Sequence, residues 1–231
     1  MLKHLHPLER EALFSAIEND ASRYHVRNKA MIYLAEYAAL RVSEVGMIRM
    51  SDVNLDFNEI YFRRLKKSNN NTLRILDARV YNALTDYLSY REAAGISSEY
   101  LFVSQKGTPI SRKTLHEIIK RYCEIANIPS EKSHFHVLKH TCIVDLANWG
   151  LDIKELQYWA GHRNVANTEI YMQFTSMQQE ALYRKIVTRS ALTASSQLPM
   201  LMTMGNKDTP WHSSGEADMF VTPVPGQAEK K

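Results

Sequence analysis

Residues 134–171 read HFHVLKHTCIVDLANWGLDIKELQYWAGHRNVANTEIY, and the punctuation of this stretch decides the fold. A helix is predicted from about Phe135 to Trp149, stopping at Gly150, because glycine reaches the left-handed conformation that ends helices. A second helix is predicted to end at Gly161, which puts His162 just past a helix terminus. Another is entered near Asn167-Thr168, with Tyr171 beside it. Two helix ends and a tyrosine are thus brought close in sequence to the basic cluster His136-Val137-Leu138-Lys139-His140.

Working outward, Val80, Ala83, Leu84, Tyr87 and Leu88 keep the i, i+3, i+4, i+7, i+8 spacing of a helix with one apolar face. Leu115, Ile118, Ile119 and Tyr122 do the same behind Ser111, a good N-cap. A different pattern precedes them. EIYFRRL (59–65) and TLRIL (72–76) are β-prone runs flanking the polar turn Lys66-Lys67-Ser68-Asn69-Asn70-Asn71, which predicts a hairpin with lysines at its tip. The expected fold class is mainly α with a small antiparallel β-sheet.

The 231 residues, 45% hydrophobic, suffice for one well-buried core. One domain is expected over residues 1–187. Residues 188–231 hold four of the seven prolines and are expected to be a tail with little fixed structure, or ordered only on a partner. Cys123 and Cys142 lack CxxC spacing and lie in helix-like segments, so they read as buried small hydrophobes. No apolar run reaches the 18 residues of a membrane span, and the N-terminus lacks a signal-peptide core; a soluble, intracellular protein with no membrane partner is expected. The net charge of +4 comes from 29 basic against 25 acidic residues, too small an excess to establish an anionic partner. Its placement says more, because basic residues recur at Arg41, Arg49, Arg63, Arg64, Lys66 and Lys67 and again at Lys106, Arg112, Lys113, Lys120 and Arg121, interleaved with tyrosines as on a phosphate-tracking surface; Arg63, Arg64, Lys106, Arg112 and Lys113 are the expected DNA contacts.

Three clusters carry candidate chemistry. In ALRVSE (39–44), Ser43 is expected to cap a helix over Glu44–Met50, holding Arg41 near a helix start where anions are favoured. In the second cluster His136 shares a helical face with Lys139 and His140. Three histidines can bind zinc, but no acidic or cysteine ligand lies nearby and Lys139 would bring a cation into the site, so no metal is expected. A phosphate fits the donors of His136 and Lys139 better, and His140 reads as a structural, hydrogen-bonded histidine. The third cluster ends in Tyr171, one of 12 tyrosines, set apart by its position nine residues after His162.

Taken in order, Arg41, Lys66, His136-x-x-Lys139, Gly161-His162 and Tyr171 resemble the signature of the tyrosine recombinases, the phage-integrase and Xer family. The resemblance covers roughly residues 7–185. RRLKK, FVSQKGTPISR and LANWGLDIKELQYWAGHRN look especially like the short fimbrial phase-variation invertases, which lack a separate core-binding domain. One position departs: Lys139 stands where the family has its second arginine, and a single ammonium replaces a two-pronged guanidinium. Weaker transition-state stabilisation follows, which fits a natural slow variant, a DNA-binding relative that scarcely cleaves, or a deliberate replacement.

The resemblance implies that Tyr171 attacks a backbone phosphorus, forms a 3′-phosphotyrosine and expels a 5′-hydroxyl, with no cofactor and no metal. Arg41 and Lys139 would stabilise the phosphoryl charge, His162 would donate a hydrogen bond, and Glu44 would orient Arg41. Lys66, or alternatively Lys67, would protonate the leaving oxygen. His136 would help manage the tyrosine proton or hold a phosphate oxygen. The implied partners are double-stranded DNA with inverted-repeat sites and three further copies of the chain, a homo-tetramer in the cytoplasm at the nucleoid. A segment over 177–194, with Leu182, Ile186 and Val187 on one face, would dock on a neighbouring copy or pack on its own core. A type IB topoisomerase shares the chemistry and is the nearest alternative enzyme.

Overall fold

The computed structural model describes residues 3–65, 68–172 and 183–188. The chain divides into two units, Met1–Tyr183 and Arg184–Lys231. In the second only residues 184–188 are described; they are helical and exposed. Of the segment expected to dock on a neighbour, Ile186 and Val187 therefore stand in an exposed helical turn, and Leu182 lies outside the described residues. So does nearly all of the expected tail.

The first unit is built around α2 (His25–Tyr37), whose residues Ala30 to Ala35 are all buried. A helix apolar on every side must sit inside the fold, and α2 packs on α1 (Pro7–Glu18), α4 (Ala78–Ala93) and α6 (His136–Asn148). The apolar faces read from the sequence are the faces that α4 and α5 (Arg112–Ile125) bury, through Val80, Ala83, Leu84 and Tyr87, and Leu115, Ile119 and Tyr122. Ser111 caps α5, its hydroxyl accepting the Thr114 amide at 3.1 Å.

The hairpin is β2 (Glu59–Phe62) against β3 (Asn71–Arg74), in antiparallel register from Glu59↔Arg74 to Phe62↔Asn71. Ile60, Phe62 and Leu73 face the core while Tyr61, Thr72 and Arg74 face out, the period-two alternation of a half-covered sheet. A two-residue strand β1 (Val53–Asn54), which carries no sequence pattern of its own, completes the sheet in the order β1-β2-β3. The predicted tip lysines, Lys66 and Lys67, lie outside the described residues.

The expected helix over Glu44–Met50 is corrected. Helix α3 spans only Val42–Val45, is capped from Arg41 rather than Ser43, and is followed by a 3-10 turn at Met50–Asp52. The physical reason is Glu44, whose carboxylate accepts the Arg41 amide at 2.9 Å while its own amide donates to Arg41 O at 2.8 Å, which starts the helix two residues earlier. α6 and α7 (Ile153–Ala160) match the predicted segments within a residue or so, and α8 (Ala166–Glu169) leads to Tyr171. A second small core of Ala39, Cys142, Ile143, Leu146, Ala147, Leu156, Ala160 and Tyr171 joins α6 and α7 to the turn before α3. Both cysteines are free and buried.

Candidate active site

Among the described residues, Arg41, His136, His162 and Tyr171 stand at helix ends or in turns, and Lys139 lies about one turn into α6. The turn between α2 and α3 places Ala39 at φ 49°, in the left-handed region that costs a residue with a Cβ about 1–2 kcal/mol. That reversal aims the Ala39 carbonyl at Lys139, whose ammonium donates to Ala39 O at 3.0 Å and to Ala160 O at 3.1 Å. Lys139 is 2% exposed. Burial, reinforced by the charges of Arg41 and Arg64, brings its pKa down to about 7.

Glu44 organises the cations. One of its oxygens accepts from Arg41 Nη1 at 2.8 Å and from the Leu65 amide at 3.0 Å. The other receives the Arg41 amide at 2.9 Å and Arg64 Nη1 at 3.3 Å. Burial pushes the Glu44 carboxyl up, but these amides and guanidinium groups together hold it below its ordinary value. It therefore stays ionised, with the Arg41 guanidinium paired to it.

Arg64 is a correction. Expected on the DNA-facing surface, its side chain is wholly buried and donates to Asn71 Oδ1, Ala38 O and Trp159 O, each at 3.0 Å, besides Glu44. With its donors spent on internal carbonyls and amides, it ties the hairpin to the end of α7. Gly161 shows how tight that junction is: a Cβ there would stand 2.8 Å from both Arg64 Cγ and Asn69 O, and its φ is +65°. The Asn69 amide also donates to Gly161 O at 2.9 Å. The strand end that leads to Lys66 and the turn that holds His162 are thus one bonded unit.

His162 is 4% exposed and its Nδ1 stands 3.0 Å from Thr168 Oγ1 on α8, a bond that sets the ring orientation. Burial, then the charges of Lys139 and Arg41, lower its pKa to about 3, so it is neutral near pH 7. Its ring lies 6.4 Å from that of Tyr171. Tyr171, 5% exposed, has its phenol raised by burial, with Arg41 opposing. Its hydroxyl stands 2.6 Å from His140 Nδ1. His140 was read as structural and does have a hydrogen-bond partner, but the partner is the candidate nucleophile. His136 is exposed, one turn earlier, its ring 4.5 Å from that of His140 and nearly perpendicular to it.

The structure thus brings Arg41, Lys139, His162 and Tyr171 into one charged neighbourhood, with Glu44 behind and His136 at its margin. Among the described residues no three His, Cys, Asp or Glu side chains stand together as a metal ion would need. An open groove of about 670 Å³ starts at Arg41 and is lined by Lys154, Gln157, Arg163 and Asn167. Lys154 and Arg163 went unnoticed in the sequence, although Arg163 lies inside AGHRN. The other expected DNA contacts are dispersed. Lys106, Arg112 and Lys113 are exposed at and before the start of α5, whereas Arg63 is half-buried in an ion pair with Asp52. No helix among the described residues is long and apolar enough to cross a membrane.

The phage integrase family model matches residues 3–177. This chain belongs to the phage integrase family. Among its relatives, the type 1 fimbriae regulatory protein FimB of Escherichia coli strain K12 is 37% identical over 146 residues, 63% of this chain and 72% of FimB. The tyrosine recombinase XerC of Listeria welshimeri is 28% identical over 79% of this chain and 61% of its own length. A solved XerA recombinase superposes with a TM-score of 0.68 at 28% identity, over 80% of this chain and 65% of XerA. XerH bound to palindromic difH substrate shares the fold at a TM-score of 0.67 and 22% identity. The chain spans between half and two thirds of the length of these Xer proteins. Family membership agrees with a mostly helical domain carrying one small antiparallel sheet.

Proposed function

We propose that this chain is a site-specific DNA recombinase that cleaves and rejoins strands through a 3′-phosphotyrosine on Tyr171. The observation that carries the reading is the convergence of Arg41, Lys139 and His162, from three separate segments, around one buried tyrosine. Phosphoryl transfer concentrates negative charge on the non-bridging oxygens in the transition state, so cations fixed beforehand accelerate it most. Arg41, oriented by Glu44, and the Lys139 ammonium supply that charge, and His162 Nε2 donates a hydrogen bond. The phenol oxygen bonds to phosphorus as the bond to the 5′-oxygen breaks, and Lys66, or Lys67, protonates the departing oxygen. The phosphodiester energy is kept in the tyrosyl link, so rejoining needs no nucleotide. The working form is a homo-tetramer on two duplexes with inverted-repeat sites, residues 1–187 forming the catalytic domain and 188–231 a tail.

The burial of Lys139 favours one second reading, a relative that binds DNA and cleaves poorly, because an amine with a pKa near 7 carries less charge at that pH than an arginine. The test is a nicked duplex selected from a random library by the protein itself. Cleavage at the nick loses a short fragment and traps a covalent protein–DNA adduct that survives denaturant. Adduct with the parent chain and none with Tyr171→Phe supports the proposal. Tight binding without adduct, restored by Lys139→Arg, supports the impaired relative, and relaxation of plasmid lacking the selected site supports a topoisomerase.

A further inference from the structure

We propose that His140, rather than His136, accepts the proton of Tyr171 as the phenol oxygen attacks phosphorus, and returns it when the strand is rejoined. The assignment rests on the recombinase reading above. His140 Nδ1 lies 2.6 Å from the Tyr171 hydroxyl, within the reach a general base needs. The tyrosine is 5% exposed and packed among Ala39, Cys142 and Ile143, so bulk water is a poor acceptor for its proton. His136 is one turn away and exposed.

The surroundings support the direction of transfer. Burial raises the phenol's pKa, so Tyr171 does not ionise by itself near neutrality. His140 is held neutral, its pKa pushed down to about 4 by burial and then by His136 and Lys139, so an unprotonated nitrogen faces the hydroxyl. The groups that act on His140 are His136 and Lys139 on α6, His134 before it and His4 in the N-terminal segment, with Tyr171 as hydrogen-bond partner. All are neutral or cationic. A phosphate anion against Lys139 offsets their field and raises the basicity of His140 when it is required. In the step the bond from Oη to phosphorus forms, the bond from phosphorus to the 5′-oxygen breaks, and the phenol proton moves to Nδ1, leaving an imidazolium. The leaving oxygen takes its proton from the general acid, and rejoining reverses each transfer.

The test is single-turnover cleavage of the selected nicked duplex between pH 5.5 and pH 9, comparing the parent with His140→Ala. A lost general base slows cleavage by about 10²- to 10⁴-fold. The variant must lose the phenol proton to solvent, so its rate relative to the parent should climb about tenfold per pH unit, a ratio in which titration of Lys139 and the general acid cancels. Added imidazole should restore part of the rate at low pH. A ratio independent of pH, or a folded variant that imidazole fails to rescue, overturns the assignment. Nitrogen NMR of the histidine-labelled free protein near pH 7 gives a second reading that needs no activity: the proton should sit on His140 Nε2, and a proton on Nδ1 overturns it. Absence of adduct from the parent defeats the recombinase reading instead, which the NMR result separates from failure of the His140 assignment.

Discussion

Replacing Lys139 by methionine, which keeps most of the volume and removes the charge, should give a stability difference that depends steeply on pH. Lys139 titrates at about 7 in the fold, against an ordinary 10.5 in the unfolded chain. Between those values the unfolded state holds a proton that the native state lacks, so native stability rises with pH there, by at most about 1.4 kcal/mol per pH unit. Below pH 7 the penalty for a buried charge is present in full, about 5 kcal/mol at the upper limit, and it is relieved progressively up to pH 10.5. The methionine variant escapes it. Against that, the variant loses the bonds to the carbonyls of Ala39 and Ala160, which a neutral amine still makes with its two hydrogens; Ala39 O keeps only the long bond from Arg64 Nη1, at 3.5 Å. Losing both bonds costs up to about 6 kcal/mol, with little dependence on pH. At pH 6 the two effects nearly cancel and the variant should be about as stable as the parent; at pH 10 it should be weaker by most of the hydrogen-bond cost. Urea denaturation of both proteins at pH 6, 7, 8, 9 and 10 gives the difference directly. A difference constant across that range would refute the placement of a depressed amine at this site.

Arg64→Met should destabilise the fold by about 3–5 kcal/mol, because it leaves Glu44 with one guanidinium fewer and removes the donors to Ala38 O and Asn71 Oδ1; a loss under about 1 kcal/mol in urea would put Arg64 back among surface arginines. Gly161→Ala should cost more than the about 1–2 kcal/mol of a left-handed alanine, since its Cβ meets Asn69 O and Arg64 at 2.8 Å, and should depress adduct formation through His162. Lys154→Gln and Arg163→Gln should leave the unfolding midpoint unchanged, yet each should lower the salt dependence of duplex binding by about one counterion, read by fluorescence anisotropy. Thr168→Val removes the bond that orients His162; adduct formation should slow while duplex affinity holds, and equal losses in both would point to a folding defect.

Much of this protein could be read without coordinates because its signals are local. Gly161 as a helix end, Ser111 as a cap, the spacing of apolar residues in α4 and α5, and the alternation in β2 and β3 each depend on neighbours within a turn or a strand. The order of Arg41, His136, Lys139, His162 and Tyr171 is likewise a property of the chain alone, and the choice of one tyrosine among twelve as candidate nucleophile rests on it. What the sequence could not decide is which side chains meet once segments far apart are folded together. Arg64 looked like its neighbour Arg63 in RRLKK, but only packing puts it under α7 with Glu44, 20 residues away, as a partner. His140 carried no signal beyond its place four residues after His136, and its contact with Tyr171 spans 31 residues. The short α3 followed from a carboxylate that reaches back to cap its own helix while holding Leu65 and Arg64. Local periodicity is dictated by bonded geometry, so it survives in the letters; burial, and with it the charge state of Lys139 and the company of Tyr171, exists only after the core has closed.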